Sequence, residues 1–182
     1  MPFQTHAGMI TIPTLGALAI MALLAAAAWR DVATRTVPDA IAIAIVAIGL
    51  VTRAQSGWRA MAISLTAAVL IFLLLLIAHA RGMLGGGDVK LIAAMACGLP
   101  LAWLYHFILF TALAGGALAI LHLLLRRRIA VRPFSHDDRR QATPCGRVWR
   151  AERWRIARHG PLPYAVAIAC GGIATMGRGF FL

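Results

Sequence analysis

Long apolar stretches alternate with short polar segments along the whole chain, and this pattern restricts the fold more than any other feature. Hydrophobic residues make up 61% of the 182 residues and charged residues only 13%. Helices that cross a bilayer need about 20 mainly apolar residues each, whereas a water-soluble domain cannot bury so much apolar surface. The sequence therefore predicts a single-domain, all-α, polytopic membrane protein over residues 1–182. About six transmembrane helices are expected, at residues 10–29, 39–52, 60–80, 88–99, 101–125 and 161–182.

The fourth of these segments is too short to cross a membrane by itself. Its twelve residues, which Pro100 ends, would reach only about 18 Å as a helix. The hydrocarbon core of a bilayer is about 30 Å thick. We therefore expect a partial helix that is tilted, extended by its flanks or packed inside the bundle. The second segment is also short and should use its flanks to reach both interfaces.

Basic residues are concentrated in one segment, and their distribution predicts the orientation. Eleven of the eighteen Lys and Arg residues lie in the loop at residues 126–160. Placing this loop in the cytoplasm leaves fifteen basic residues inside and three outside, as the positive-inside rule requires. Both termini then face the outer side. The first apolar segment is expected to stay in the protein as a membrane helix and not to be removed as a signal peptide. The loop should contact anionic lipid, and no stacking or groove-reading motif accompanies it, so nucleic-acid binding is disfavoured.

Neither the cysteines nor the histidines form a pattern that predicts a metal or a cofactor. Cys97, Cys145 and Cys170 are scattered and contain no CxxC pair, which argues against a disulfide framework and a zinc site. His79 and His106 could carry protons, but lone histidines in apolar runs more often serve packing. No metal and no cofactor are therefore expected.

The segment GMLGGGDVKLIAA, residues 82–94, is the clearest indication of chemistry. It places Asp88 after three glycines and before a run that is apolar apart from Lys90. A carboxylate at the mouth of a membrane segment is costly, so it usually pairs, becomes neutral or has a function. A structural alternative is a glycine hinge with Asp88 capping the fourth helix. Lys90 lies about 200° around the helix from Asp88, so an ion pair between the two is not expected. Lys90 should instead reach the lipid headgroups or the polar hairpin at residues 30–39, between the first two segments.

A second carboxylate, Asp31, ends the first apolar segment and reaches the same predicted face as Asp88. Two neighbouring carboxylates cannot both ionise easily, so such a pair shares a proton near neutral pH. One member can then activate water while the other polarises a peptide carbonyl, which indicates an aspartic peptidase at the membrane edge. Asp39 is a competitor, but its position after Pro38 favours a role in the first turn of a helix. The glycines at 85–87 would permit unusual backbone angles and close approach of the substrate backbone.

Three parts of the sequence together resemble the type IV prepilin peptidase family. The GGGD segment is similar to the GxGD signature, with Gly85, Gly87 and Asp88 on the motif positions. The stretch from Asp31 through VPD resembles the first catalytic aspartate and the (I/V)P(N/D) step that follows it. The run PLPYAVAIACGG, residues 161–172, resembles the last helix of that family. We expect Gly85, Gly86 and Gly87 to bind the substrate, and the expected supporting residues are Pro38, Asp39, Lys90, Pro163 and Tyr164.

The resemblance implies a membrane aspartic endopeptidase that removes the short basic leader of prepilins, without a cofactor. Asp31 and Asp88 would form its catalytic pair at the cytoplasmic face of the bacterial inner membrane, with the prepilin as the partner. The chain lacks the large N-terminal region with paired CxxC motifs found in longer members. It therefore looks like the small form that accompanies tight-adherence (Flp-type) pilus systems, for which N-methyltransferase activity is not expected.

Three alternatives are weighed against this hypothesis. A small transporter using intramembrane carboxylates would need a carboxylate near the midplane and an internal repeat, and the sequence indicates neither. A non-catalytic component of a pilus or secretion assembly platform could keep the same fold, although both aspartates are present in their motif context. A presenilin-like protease shares the GxGD feature, but its first aspartate usually follows Tyr, and here Arg30 precedes Asp31.

Overall fold

In a computed structural model, which describes residues 12–129 and 162–181, these two parts of the chain form helices joined by short turns and contain no strand. This confirms the predicted all-α class. The turns between consecutive helices in the first part are short, so successive helices return across the bundle. The six helices described are α1 (Ile12–Thr34), α2 (Asp39–Gln55), α3 (Trp58–Ala80), α4 (Gly86–Gly98), α5 (Leu101–Ile129) and α6 (Tyr164–Phe181).

Three of these helices are long and apolar enough to cross a membrane: α1, α3 and α5. The protein is therefore a polytopic membrane protein, although fewer of its described helices qualify as spans than the six expected. The reason is length, since α2, α4 and α6 have 17, 13 and 18 residues, and a bilayer core requires about 20. Side chains on α3 such as Leu70 and Leu74, 62% and 67% exposed, suit contact with lipid.

The short helix α4 lies inside the bundle, packed against α2, α3 and α6. Six of its thirteen residues are buried, including Leu91 and Met95. Burial within protein satisfies the requirement that membrane-embedded backbone be screened from lipid. The expectation of a partial helix packed inside the bundle is thus confirmed.

Glycine contacts bring the backbones of α2 and α4 together. A Cβ built on Gly49 would lie 2.7 Å from the Cα of Gly98, and one built on Gly98 would lie 3.0 Å from the Cα of Gly49. Small residues allow such close approach between membrane helices, where packing replaces the hydrophobic effect as the driving force. This crossing sets the position of α4 and hence of its first turn, which carries Asp88.

A polar network holds the C-terminal end of α4, next to the glycine contact. The Nε of Arg53 donates a hydrogen bond of 3.0 Å to the Oγ of Ser64, and this hydroxyl donates to the carbonyl oxygen of Leu99 at 3.0 Å. Ser64 is almost completely buried, so its hydroxyl would be costly without these partners. The network links α2 and α3 to the residue that follows α4.

The first helix extends further than the sequence indicates. Its end was expected near Trp29, with Asp31 in a polar hairpin, but α1 continues to Thr34 and so includes Asp31. The apolar run and the helix end at different residues, because polar residues can continue a helix where it leaves the membrane. The residue after the helix is Arg35, whose φ of 57° lies in the left-handed region and whose N–H donates to the carbonyl oxygen of Asp31 at 2.9 Å. Pro38 directly precedes α2, as expected for a residue at a helix start.

Candidate active site

A cavity of about 310 Å³ lies where α1 ends and where α2 and α4 begin. Asp31 and Asp88 both line it, although 57 positions separate them in the chain. The structure therefore brings together the two carboxylates and the three glycines that the sequence singled out. The residues lining the cavity are Asp31, Arg35, Thr36, Val37, Asp39, Gly85, Gly86, Gly87, Asp88 and Lys90.

Asp31 is buried, with 9% of its surface exposed, and it faces the start of α6. The backbone N–H of Ala165, the second residue of that helix, donates a hydrogen bond of 3.2 Å to the Oδ2 of Asp31. The first N–H groups of a helix have no partner within it, and the helix dipole is positive there. Ala165 directly follows Pro163, which is buried, and Tyr164. The C-terminal motif at residues 161–172 therefore places the N-terminus of α6 beside Asp31.

Asp88 is the third residue of α4, lies outside the three candidate spans and is half-buried. Burial, together with the negative charge of Asp31, raises the pKa of Asp88 from 3.8 to about 6, against a lowering by a hydrogen bond with the backbone of Gly85. The N-cap of α4 is Gly85, without a side-chain capping hydrogen bond, so Asp88 is not the capping residue of this helix. Asp88 lies in the first turn, where a carboxylate is favourable, and its carboxyl group lines the cavity with Asp31.

The three glycines have different local environments. A Cβ on Gly85 would lie 2.9 Å from the Oδ2 of Asp88, so a side chain there would displace this carboxyl group. At Gly86 and Gly87 a Cβ would make ordinary contacts, 3.4 Å from His79 and 3.5 Å from Val37. The expected unusual backbone angles are not found at these glycines, since Gly85 has a φ of −70° and the left-handed turn residue is Gly82, with a φ of 73°. A substrate-binding role for the three stays a prediction.

His79 has a structural role that sequence analysis did not assign. Its Nδ1 donates a hydrogen bond of 2.8 Å to the carbonyl oxygen of Leu84, and its ring lies beside Gly86. This bond ties the glycine-containing turn to the end of α3. The sequence feature that could have indicated this contact is that His79 lies only a few residues before the turn in the chain.

Lys90, the fifth residue of α4, and Asp39, the first residue of α2, form an ion pair of 2.7 Å. Lys90 therefore contacts the start of the second helix and not Asp88, which agrees with one of the two expectations for it. Both side chains are well exposed, and such pairs contribute only about 0–1 kcal/mol. Asp39 lies in the first turn of α2, where a negative charge is favourable, and its partner is Lys90.

Tyr164 approaches the site from α6 and packs into a space left by a glycine of α5. A Cβ on Gly115 would lie 2.9 Å from the Cε2 of Tyr164. Burial, and secondarily the charge of Asp88, raise the pKa of the Tyr164 phenol, which lies outside the three candidate spans. The supporting role of Tyr164 stays a prediction. Gly115, which sequence analysis missed, makes room for its ring.

The described residues contain no group of three or more His, Cys, Asp or Glu side chains that could hold a metal ion. Within this part of the chain, Cys97 is buried and Cys170 is exposed, and both are free thiols. Cys145 lies outside the described residues, as does nearly all of the basic loop at 126–160, whose first four residues extend α5.

A helical membrane bundle with two carboxylates in one cavity at its end has the architecture of a membrane-embedded aspartic peptidase. The sequence matches the type IV leader peptidase family, peptidase A24, over residues 18–120, which is more than half of the chain. The chain belongs to this family and is an aspartic prepilin peptidase. Searches of curated proteins and of solved structures found no match. The matched region includes both Asp31 and Asp88, whereas Pro163 and Tyr164 lie beyond it.

The raised pKa of Asp88 predicts that the folded protein loses stability as the pH rises from about 4 to about 6. The folded state binds this proton more tightly than the unfolded chain, so the stabilisation is complete below 3.8 and is lost through the folded value of about 6. Asp88→Asn stays neutral and should escape this loss. Its Tm in detergent should exceed that of the wild type at about pH 7.5, and the difference should vanish near pH 4. Parallel Tm curves for the two proteins would contradict the raised pKa.

Proposed function

We propose that this protein removes the N-terminal leader of prepilins at the cytoplasmic membrane face, with Asp31 and Asp88 as its catalytic pair. Membership of the type IV leader peptidase family implies the leader-cleaving activity. The observation that supports the assignment of the pair is that both carboxylates line one cavity, where burial and secondarily the charge of Asp31 raise the pKa of Asp88.

The surroundings of the two carboxylates suit different roles. The N–H of Ala165 at the start of α6 stabilises negative charge on Asp31, so Asp31 is proposed as the base that takes a proton from water. Asp88, whose pKa is raised to about 6, is proposed as the partner that carries the proton in the active form of the pair.

The proposed reaction is a direct attack by water. Asp31 removes a proton from the water while the oxygen attacks the carbonyl carbon, and Asp88 donates its proton to the carbonyl oxygen. A tetrahedral gem-diol forms. Its collapse breaks the C–N bond as Asp31 gives its proton to the leaving nitrogen and Asp88 recovers a proton from the diol. The pair returns to its starting state with one proton between its members, so the cycle needs no cofactor.

The finer parts of the proposal rest on the sequence. Both termini are proposed to face the outer side and the basic loop to contact anionic lipid, because this orientation places fifteen of eighteen basic residues inside. The small, tight-adherence subtype is proposed on the likeness of the sequence to the shorter family members alone. A phosphatase fused to the C-terminus should be active outside the membrane, and an active cytoplasmic reporter there would reverse the orientation.

Co-expression with tagged prepilins in a host that lacks its own leader peptidase tests the function. The panel should include a Flp-type prepilin with a short basic leader. Wild-type protein is expected to shorten at least one prepilin by the mass of its leader, read by mass spectrometry. Full-length prepilins throughout the panel, with the protein inserted in the membrane, would contradict the proposal and favour a non-catalytic assembly component.

A further inference from the structure

An apolar groove of about 430 Å³ lies on the outside of the bundle between α2, α3 and α4. Residues from all three helices form it, and most of them are aliphatic or aromatic. In a membrane protein, such a surface is accessible to lipid acyl chains and to apolar helices. The residues lining the groove are Asp39, Ala42, Ile43, Val46, Leu65, Ala68, Val69, Phe72, Lys90, Ala93, Ala94 and Cys97.

The shape of the groove suits a helix. Its buried alanines, Ala42, Ala68 and Ala94, leave space for close approach of another backbone. Exposed larger side chains such as Ile43 and Val69 stand beside them. Along α4 the groove extends from Lys90 to Cys97, about 10 Å, which is the length of about two helical turns.

The groove and the cavity that holds the two aspartates are continuous. Asp39 and Lys90 line both, and their ion pair stands at the boundary between them. A chain leaving the end of a helix seated in the groove would pass this pair and enter the cavity directly.

The charges along this path also change in a defined order. Lys90 balances Asp39, which leaves Asp31 and Asp88 facing the single cation Arg35 in the cavity, so the cavity has an excess of negative charge whenever Asp88 is ionised, above its pKa of about 6. The groove beyond the boundary pair is apolar. A ligand with a basic segment followed directly by an apolar helix would match both parts, whereas a lipid acyl chain would match only the groove.

We infer that the groove between α2, α3 and α4 seats the first turns of the substrate's apolar helix, with its basic leader crossing the cavity. This inference rests on the proposed function and assigns the surface that would position the scissile bond. Docking in the groove would place the start of the helix beside Asp39 and Lys90, and the preceding residues beside the aspartates. Recognition of the helix and of the leader would then be physically separate.

Photocrosslinking tests the inference without requiring turnover. Val69 lines the groove, while its neighbour Leu70 does not and is the more open of the two to lipid, with exposed fractions of 49% and 62%. Benzoylphenylalanine should replace each in turn in the inactive Asp31→Asn protein, co-expressed with a tagged prepilin. An adduct of enzyme and prepilin is expected at position 69 and not at position 70. Equal adducts at both positions, or adducts at 69 only with lipid or a second enzyme copy, would overturn the inference.

Kinetics in proteoliposomes provide an independent test. Val69→Trp should fill the groove and raise the KM for a full-length prepilin about tenfold, a loss of about 1.4 kcal/mol of docking, with kcat nearly unchanged. The KM for a leader peptide without the apolar helix should not change. Leu70→Trp serves as the matched control and should leave both substrates unaffected. If the wild type cleaves the prepilin and the two variants have equal KM values, docking in the groove is rejected and the proposed function stands. If the wild type does not cleave, the proposed function itself is rejected.

Discussion

Asp31→Asn and Asp88→Asn are each expected to abolish leader removal, lowering kcat by about a thousandfold or more. An asparagine in place of Asp31 cannot take the proton of the attacking water, and one in place of Asp88 cannot supply an acidic proton to the carbonyl oxygen. Because the two groups act as a unit, the double variant should be little worse than either single variant. Leader loss should be measured by mass, both in co-expressing cells and with purified protein.

Two controls separate catalysis from folding. Both Asn variants should still insert in the membrane, and Asp88→Asn should melt no earlier than the wild type at about pH 7.5. Asp39→Asn removes a third carboxylate that lines the same cavity but is exposed and paired with Lys90. Its loss of activity should be at most about tenfold. Normal cleavage by either Asp31→Asn or Asp88→Asn, or equal inactivation by Asp39→Asn, would contradict the assigned pair.

Gly49→Ala is expected to lower the Tm of the purified protein by about 5 °C and to reduce cleavage in proportion to the displacement of α4. The new Cβ would lie 2.7 Å from a backbone carbon of Gly98, which cannot move without moving α4. Overpacking of this kind costs about 1–3 kcal/mol, and for a protein of this size each kcal/mol shifts Tm by about 2–4 °C. The site is affected because Asp88 is on the first turn of the displaced helix.

Gly116→Ala is the matched control, because a Cβ at that position has no heavy atom within 4 Å. Alanine favours a helix over glycine by about 1 kcal/mol at both positions, so the difference between the variants isolates the steric conflict. Gly116→Ala should keep or raise the Tm and retain activity. Indistinguishable Tm values for the two variants would mean that the crossing of α2 and α4 is looser than the structure describes.

Sequence patterns were sufficient for the features that depend on one segment at a time. Runs of apolar residues indicated membrane helices because each residue reports the environment that its own side chain prefers. The length of the segment ending at Pro100 was enough to predict a partial helix, since the bilayer thickness sets a fixed requirement. Asp31 and Asp88 were found because a carboxylate beside an apolar run is costly and seldom occurs without a function.

Other features depend on contacts between segments that are distant in the chain. The bond from Ala165 to Asp31 joins residues 134 positions apart, and the ion pair of Lys90 with Asp39 joins residues 51 apart. The crossing of Gly49 with Gly98 belongs to the same class, because no local pattern shows which glycines meet. The extension of α1 through Asp31 also escaped prediction, since the end of an apolar run marks the change of solvent and not the end of the helix.

The sequence by itself determined the class of fold, the partial fourth helix and the identity of the two candidate carboxylates. Only the tertiary structure decided that one of them faces the start of α6, that the other folds back on Gly85, and that an apolar groove leads to both. The physical reason is that composition and spacing record the preferences of single segments for lipid, water or a helix. The close contacts that shape a site depend on how whole helices cross, and that geometry exists only in the assembled bundle.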